Sequence, residues 1–199
     1  MLETKTLVTG ELEENCYIVY ENGVGVVIDP GDNAEGIAEF LQENSIKAEY
    51  ILLTHGHYDH IGAAEEIRRI TGAPVLCSDD EKELLLSPEL NLSHEYSTDI
   101  SLMPDGTFSE GDKISAGELE FTFLKTPGHT KGSAVIICRD NIYTGDTLFS
   151  GGYGRTDLPT GSFDDIVKSL RKLRNLDVNY KMYPGHGESS FLQRKRKHS

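Results

Sequence analysis

The chain contains no tryptophan and only three cysteines, Cys16, Cys77 and Cys138, none of them in a CxxC pair. So sparse and odd a count offers neither a disulfide framework nor a thiolate zinc knuckle, and it predicts reduced thiols in a cytoplasmic setting. Positive charge is also scarce. Lys and Arg number 19 against 33 Asp and Glu, for a formal net charge of -14. Such a surface repels phosphate backbones, so nucleic acid is not an expected partner. Long apolar runs are missing, and no stretch approaches the ~20 residues that a bilayer-spanning helix needs, so no membrane partner is expected either. The first ten residues, MLETKTLVTG, lack the basic-then-apolar layout of a secretory signal. There is no internal period at repeat-protein lengths. A GxSxG elbow is absent, which argues against a serine nucleophile of that type.

Against these absences, 37% of the 199 residues are hydrophobic, enough to bury a core. The reading is one domain over residues 1–199, with 187–199 as a short tail made basic by Arg194, Lys195, Arg196 and Lys197. Residues 2–9 alternate as an edge strand does. NCYIVYE and VGVVIDPG flank Asn22-Gly23, a strong hairpin signal. Residues 33–43 carry Ile37, Ala38, Phe40 and Leu41 at helical spacing, with Asn33 as N-cap. YILLT is an apolar strand of the kind covered on both faces. Residues 60–70 read as one helix with Ile61, Ala64, Ile67 and Ile70 on its buried face, ended by Gly72 and Pro74. PVLCS is another buried strand, 79–86 a short helix, and 87–107 a polar surface loop. Four strands follow, around Lys113 and at LEFTFLK, SAVIIC and NIYTG. A helix over 162–173 and a last strand in YKMYPGHG complete the pattern. Many strands with interspersed helices predict an α+β fold, a mixed two-layer sheet with helices on its outside.

Chemistry concentrates in the histidines. Five of the seven lie in THGHYDH, TPGHT and PGHGE. His94 and His198 stand apart and read as surface residues. In an extended segment residues i and i+2 point the same way, so His55 and His57 can reach one ion from the end of the YILLT strand. Gly56 between them lets the backbone come close. Asp59 and His60 follow where the chain turns into a helix, and point toward a second ion. His129, Asp146 in TGD, and His186 each follow an apolar strand and stand beside glycine or a small residue. One ligand set is therefore His55, His57 and His129, and the other Asp59, His60 and His186. Asp146, with two carboxylate oxygens, bridges them. Imidazole and carboxylate suit two divalent ions, zinc first, with iron or manganese also accommodated. Such a set leaves positions open for water and substrate. Asp59 and Asp146 are its candidate catalytic carboxylates.

THGHYDH, His129 in TPGHTKGS, Asp146 in YTGDTLF and His186 in PGHG resemble the metallo-β-lactamase-fold hydrolases, whose signature is HxHxDH. The resemblance runs from Leu2 to about Glu188. It implies an αββα sandwich of two mixed sheets flanked by helices, with a binuclear site at the edge between the sheets and the same division of ligands. TGDTLF and GGYGRTDLPTGS are similar to the short bacterial, glyoxalase II-like members, relatives of the hydroxyacylglutathione hydrolases. The activity this implies is hydrolysis of a hydroxyacyl thioester, such as S-lactoylglutathione, by a hydroxide shared between the ions. A thiol with a pKa of roughly 8.5 leaves without a dedicated acid. The longer glyoxalase II proteins carry a further basic helical domain that grips glutathione, and only residues 187–199 follow His186 here, so the thiol is left open. Asp29 in VVIDPG resembles a carboxylate that orients a ligand histidine. Arg155 reads either as a ligand for a substrate carboxylate or as a partner of Asp157. Lys131 and Tyr153, beside the ligand motifs, are candidate substrate contacts. Two other readings remain. Persulfide dioxygenases share the GRTD segment and use one iron on two histidines and a carboxylate, and lactonases or β-lactamases use the same hydroxide.

Overall fold

Alternating and continuous apolar runs sort the chain into two sheets. The computed structural model describes residues 1–193; the basic run 194–197 and His198 lie outside the described residues. β1 (Glu3–Thr9), β2 (Glu14–Glu21) and β3 (Val24–Ile28) form an antiparallel meander. Its second turn is Asn22-Gly23, with φ of 51° and 77°, the two positive values that a twist-matched two-residue turn requires. α1 (Ala34–Glu43) follows, capped by the Asn33 side chain, which accepts the Gly36 N–H. Then come β4 (Lys47–Leu52), α2 (Tyr58–Ile61), α3 (Ala64–Thr71) and β5 (Val75–Ser78). A 3₁₀ turn at Asp79–Glu81 leads into α4 (Lys82–Leu86), and β6 (Gly106–Phe108) closes the first sheet. The order is β1-β2-β3-β4-β5-β6, parallel from β3 onward.

The second sheet takes β7 (Lys113–Ala116), β8 (Leu119–Lys125), β9 (Ala134–Cys138) and β10 (Asn141–Gly145), then, after α5 (Phe163–Arg174), β11 (Tyr180–Pro184) and β12 (Ser190–Leu192). Its order is β12-β11-β10-β9-β8-β7, with only β10 and β11 parallel. The two sheets pack face to face over Tyr17, Val19, Val26, Ile28 and Leu52 from one side and Phe121, Phe123, Ile136 and Tyr143 from the other. α1 and α3 cover the outer face of the first sheet through Ile37, Leu41 and Ile67 against Ile18, Val27 and Ile51. α5 covers the second through Leu173 against Val135, Ile142 and Met182. The result is the four-layer αββα sandwich expected. No helix among the described residues is long and apolar enough to cross a membrane.

Local expectations are corrected in three places. The helix read over 60–70 is two helices, because Gly62 packs against the Gly31 carbonyl and the Ala63 N–H goes to Pro30 O at 2.9 Å. Ile70 is consequently not on the buried face but 47% exposed. The loop read over 87–107 contains a 3₁₀ turn at Ser93–Tyr96 and the first residues of β6, a strand too short for its periodicity to register. The tail does not begin at 187, since β12 pairs with β11 as the sheet's edge.

Candidate metal centre

The seven predicted side chains converge at one rim of the sandwich. His55 and His57 follow β4, Asp59 and His60 lie on α2, His129 follows β8, Asp146 follows β10 and His186 follows β11. Backbone close approach makes this possible. A Cβ on Gly56 would meet Leu85 Cδ2 at 2.8 Å, and one on Gly185 would strike Asp146 Oδ1 and His60 Cε1. Among the described residues, the ligand-type atoms of His55, His57 and His129 lie within 4.8 Å of one another, as do those of Asp59, His60 and His186. Asp146 stands between the sets. Its Oδ2 is 3.5 Å from His129 Nε2, while Oδ1 is 3.5 Å from His60 Nε2 and 3.7 Å from His186 Nε2. A third grouping, Asp29 with His55 and His60, is also close.

Hydrogen bonds decide which ring nitrogen each histidine presents. His60 Nδ1 donates to Asp29 Oδ2 at 3.0 Å. Asp29 Oδ2 also accepts from Thr54 Oγ1 at 2.5 Å, so that hydroxyl is left to accept from His55 Nδ1 at 3.2 Å. The Thr54 N–H, 2.7 Å from Asp29 Oδ1, fixes the carboxylate itself. One buried aspartate thus turns Nε2 of both His55 and His60 toward the cluster, which makes Asp29 an orienting group. His129 Nδ1 donates to Arg155 O at 2.8 Å and His186 Nδ1 to Leu12 O at 3.0 Å. His57 differs. Its Nδ1 faces His129 Nε2 at 2.9 Å, and its Nε2 is buried without a partner.

Electrostatics separate the two sets. Burial and the neighbouring imidazoles hold His55 well below the usual histidine range, and burial with His129 lowers His57 to about 3. Burial also opposes charge on His60, but Asp59, Asp146 and Asp29 outweigh it and raise its pKa well above that range. His186 is raised too, as its bond to Asp59 outweighs burial. Asp146 is only partly exposed, which favours protonation, yet His60, His129 and His186 hold it well below the usual carboxylate range.

His55 Nε2, His60 Nε2 and Asp146 Oδ1 are buried and unpartnered. Three orphaned polar atoms around one space would each cost about 1–3 kcal/mol. Cations coordinated there would satisfy all three, so the donor set fits a metal centre.

The cleft above the cluster encloses about 360 Å³, bounded by Leu12, Tyr58, Phe149 and Leu158 besides the site residues. Arg155 lines it while its guanidinium is paired with Asp157, at 2.8 Å for both Nε and Nη2. Of the remaining candidates, Tyr153 is 44% exposed and Lys131 is exposed, and neither lines the cleft. His94 is a surface residue paired with Asp99.

Several supports escaped the sequence reading. Asn15 Nδ2 donates to Pro184 O at 3.0 Å and to Gly187 O at 2.9 Å, and Tyr17 OH to Pro184 O at 2.6 Å, so the NCY of β2 clamps the His186 loop. An Asn in an otherwise apolar strand was the available signal. Glu81 is buried and accepts from Gly56, Thr130 and Gly132. Burial pushes its carboxyl up to about 7, against those three donors. No local signal marked it, because its acidic run reads as a solvated helix face.

A histidine and aspartate cluster at the strand ends of an αββα sandwich defines the class of metal-dependent hydrolases. The particular family follows from comparison: the chain belongs to the metallo-beta-lactamase superfamily, whose profile matches residues 9–186. It is 36% identical over 188 residues to a probable metallo-hydrolase of Streptococcus pyogenes, covering 90% of this chain and 81% of that one. It is 31% identical over 192 residues to a hydroxyacylglutathione hydrolase of Haemophilus influenzae, covering 93% and 91%. Among solved structures it is similar to BLEG-1, a B3 metallo-beta-lactamase (28% identity, TM-score 0.88, 96% and 94% covered). It is also similar to TTHA1623 in a di-iron-bound form (30% identity, TM-score 0.85, 94% of each chain).

Proposed function

We propose that this hydrolase cleaves a hydroxyacyl thioester, in the manner of glyoxalase II, at a centre of two divalent ions. His55, His57 and His129 would hold one ion, Asp59, His60 and His186 the other, with Asp146 shared. The observation that carries this is Asp146, whose two oxygens face different histidine sets. Zinc is the first choice, and the same donors accept iron or manganese. When bound, the ions would supply a water ionised near neutral pH and would polarise the acyl carbonyl.

The chain's own residues do the rest. Asp29 accepts the hydrogen bond from His60 Nδ1 and, through Thr54, orients His55, so both point Nε2 toward the cluster. Asp59 lies 3.3 Å from His186 Nε2 and holds that more exposed ring toward the second set. Leu12, Phe149 and Leu158 give the cleft apolar walls against which an acyl group can pack. A thiolate with a conjugate-acid pKa of roughly 8.5 departs without an acid supplied by the chain. Arg155 reaches a substrate carboxylate only by releasing Asp157. The likeness to the Haemophilus influenzae hydrolase supports the thioester reading, and the di-iron form of TTHA1623 supports two ions. Three free, buried cysteines support a reducing, cytoplasmic setting.

The test is turnover by the metal-loaded protein of S-lactoylglutathione and a panel of small acyl thioesters, with lactones and β-lactams alongside. Thioester hydrolysis is expected. The likeness to BLEG-1 favours β-lactams as the second reading. Turnover of a lactone or β-lactam with no thioester cleaved refutes the first, as does one iron per chain with oxygen uptake on glutathione persulfide.

A further inference from the structure

Glu81 ends the 3₁₀ turn Asp79–Glu81, and its side chain is 1% exposed. It has no ion-pair partner among the described residues. Its two oxygens instead take different loops. Oε1 accepts the Gly56 N–H at 2.9 Å, between His55 and His57. Oε2 accepts the Gly132 N–H at 2.8 Å and the Thr130 hydroxyl at 3.0 Å, directly after His129. Among the described residues no backbone hydrogen bond joins 55–57 to 128–132; the nearest runs from Ala134 N to Thr54 O. The separation of these loops fixes the 2.9 Å between His57 Nδ1 and His129 Nε2. Two nitrogens on one tetrahedral zinc, each ~2.0–2.1 Å from it, sit about 3.3 Å apart, so a small slip of either loop spoils the geometry.

We propose that Glu81 is a positioning residue that clamps the two histidine loops together and thereby sets the affinity of the three-histidine metal site alone. The inference rests on the ligand division given under Proposed function. The other set hangs on different supports: α2 and Asp29 for His60, and the Leu12 carbonyl with the Asn15 clamp for the His186 loop. An N–H donor facing the carboxylate cannot be satisfied by an amide nitrogen, so Glu81→Gln keeps the size and breaks the clamp on one loop.

Zinc affinities of both sites, read by chelator competition, together with ¹¹³Cd NMR of the cadmium-loaded protein, test this without any substrate. Wild type is expected to take two ions. In Glu81→Gln one ion should bind about 10–100-fold more weakly, the usual cost of disturbing a ligand's support. The other should stay within about threefold, and a single ¹¹³Cd resonance should move. Thr130→Val removes one donor, leaves the carboxylate in place, and should shift the same resonance by less; it serves if Glu81→Gln does not fold. Equal weakening of both sites, or no change at either, overturns the proposal. A wild type that takes no zinc overturns the metal centre itself, an outcome distinct from the failure of Glu81 alone.

Discussion

At the residue scale, the site depends on carboxylates whose roles differ by what they touch. Asp146 faces both histidine sets, and Asp29 faces only their outward nitrogens. Disturbing a group behind a ligand costs roughly 10–100-fold, so removing a shared ligand should cost more than about 100-fold. Asp146→Ala is expected to lower kcat by at least that factor and to drop metal content from two ions toward one, measured by elemental analysis. Two ions retained in that variant would contradict the bridging role. Arg155 carries a related lesson. Both sequence readings of it were open, and the paired state with Asp157 is the one adopted, while its backbone carbonyl orients His129.

At the element scale, the short helix α2 matters more than its four residues imply. It presents Asp59 and His60 together, and it has no side-chain cap: its first N–H, on Tyr58, goes to Asn91 O, and the Ala63 N–H just beyond it goes to Pro30 O. A Cβ on Gly31 would collide with the Asp59 carbonyl and approach Glu14 Oε2 at 2.7 Å. Overpacking of this kind costs about 1–3 kcal/mol. With roughly 2–4 °C per kcal/mol at this chain length, Gly31→Ala should lower the melting temperature by about 2–12 °C. Gly151 has open space around it, and Gly151→Ala should melt within about 1 °C of wild type. Equal melting temperatures for the two variants would show that α2 is not seated against Gly31.

At the scale of the whole molecule, the centre joins ends of strands from both sheets, so metal binding is coupled to the packing of one sheet on the other. An ion bound only by the folded state adds about 2.7 kcal/mol at a free concentration of 100 times its dissociation constant. The sign of the pH dependence follows from His60 and His186. Their metal-free pKa values are raised, so each holds a proton that an incoming cation must displace. Below the raised values the proton competes, and above them the ring is free. The rise in melting temperature on adding zinc should therefore be larger at pH 8 than at pH 5.5, by calorimetry at fixed free zinc. A rise independent of pH would mean that neither imidazole gives up a proton to the metal.

What the sequence determined by itself is the fold class and the seven convergent residues. Period-two alternation, the Asn22-Gly23 turn and apolar strands ending in His or Asp are local signals, and each survives without knowledge of distant contacts. The split between α2 and α3, the three-residue strands β6 and β12, the Asn15 clamp and the buried Glu81 were decided only by tertiary structure. Apart from β12, which pairs with the neighbouring β11, each depends on backbone groups far away in sequence: Pro30 for Ala63, β5 for β6, Pro184 and Gly187 for Asn15, Gly132 for Glu81. A carboxylate in an acidic run reads as solvated until another loop's N–H groups close over it. The Gly56, Thr130 and Gly132 donors of other loops turned Glu81 inward, and no local pattern encodes that.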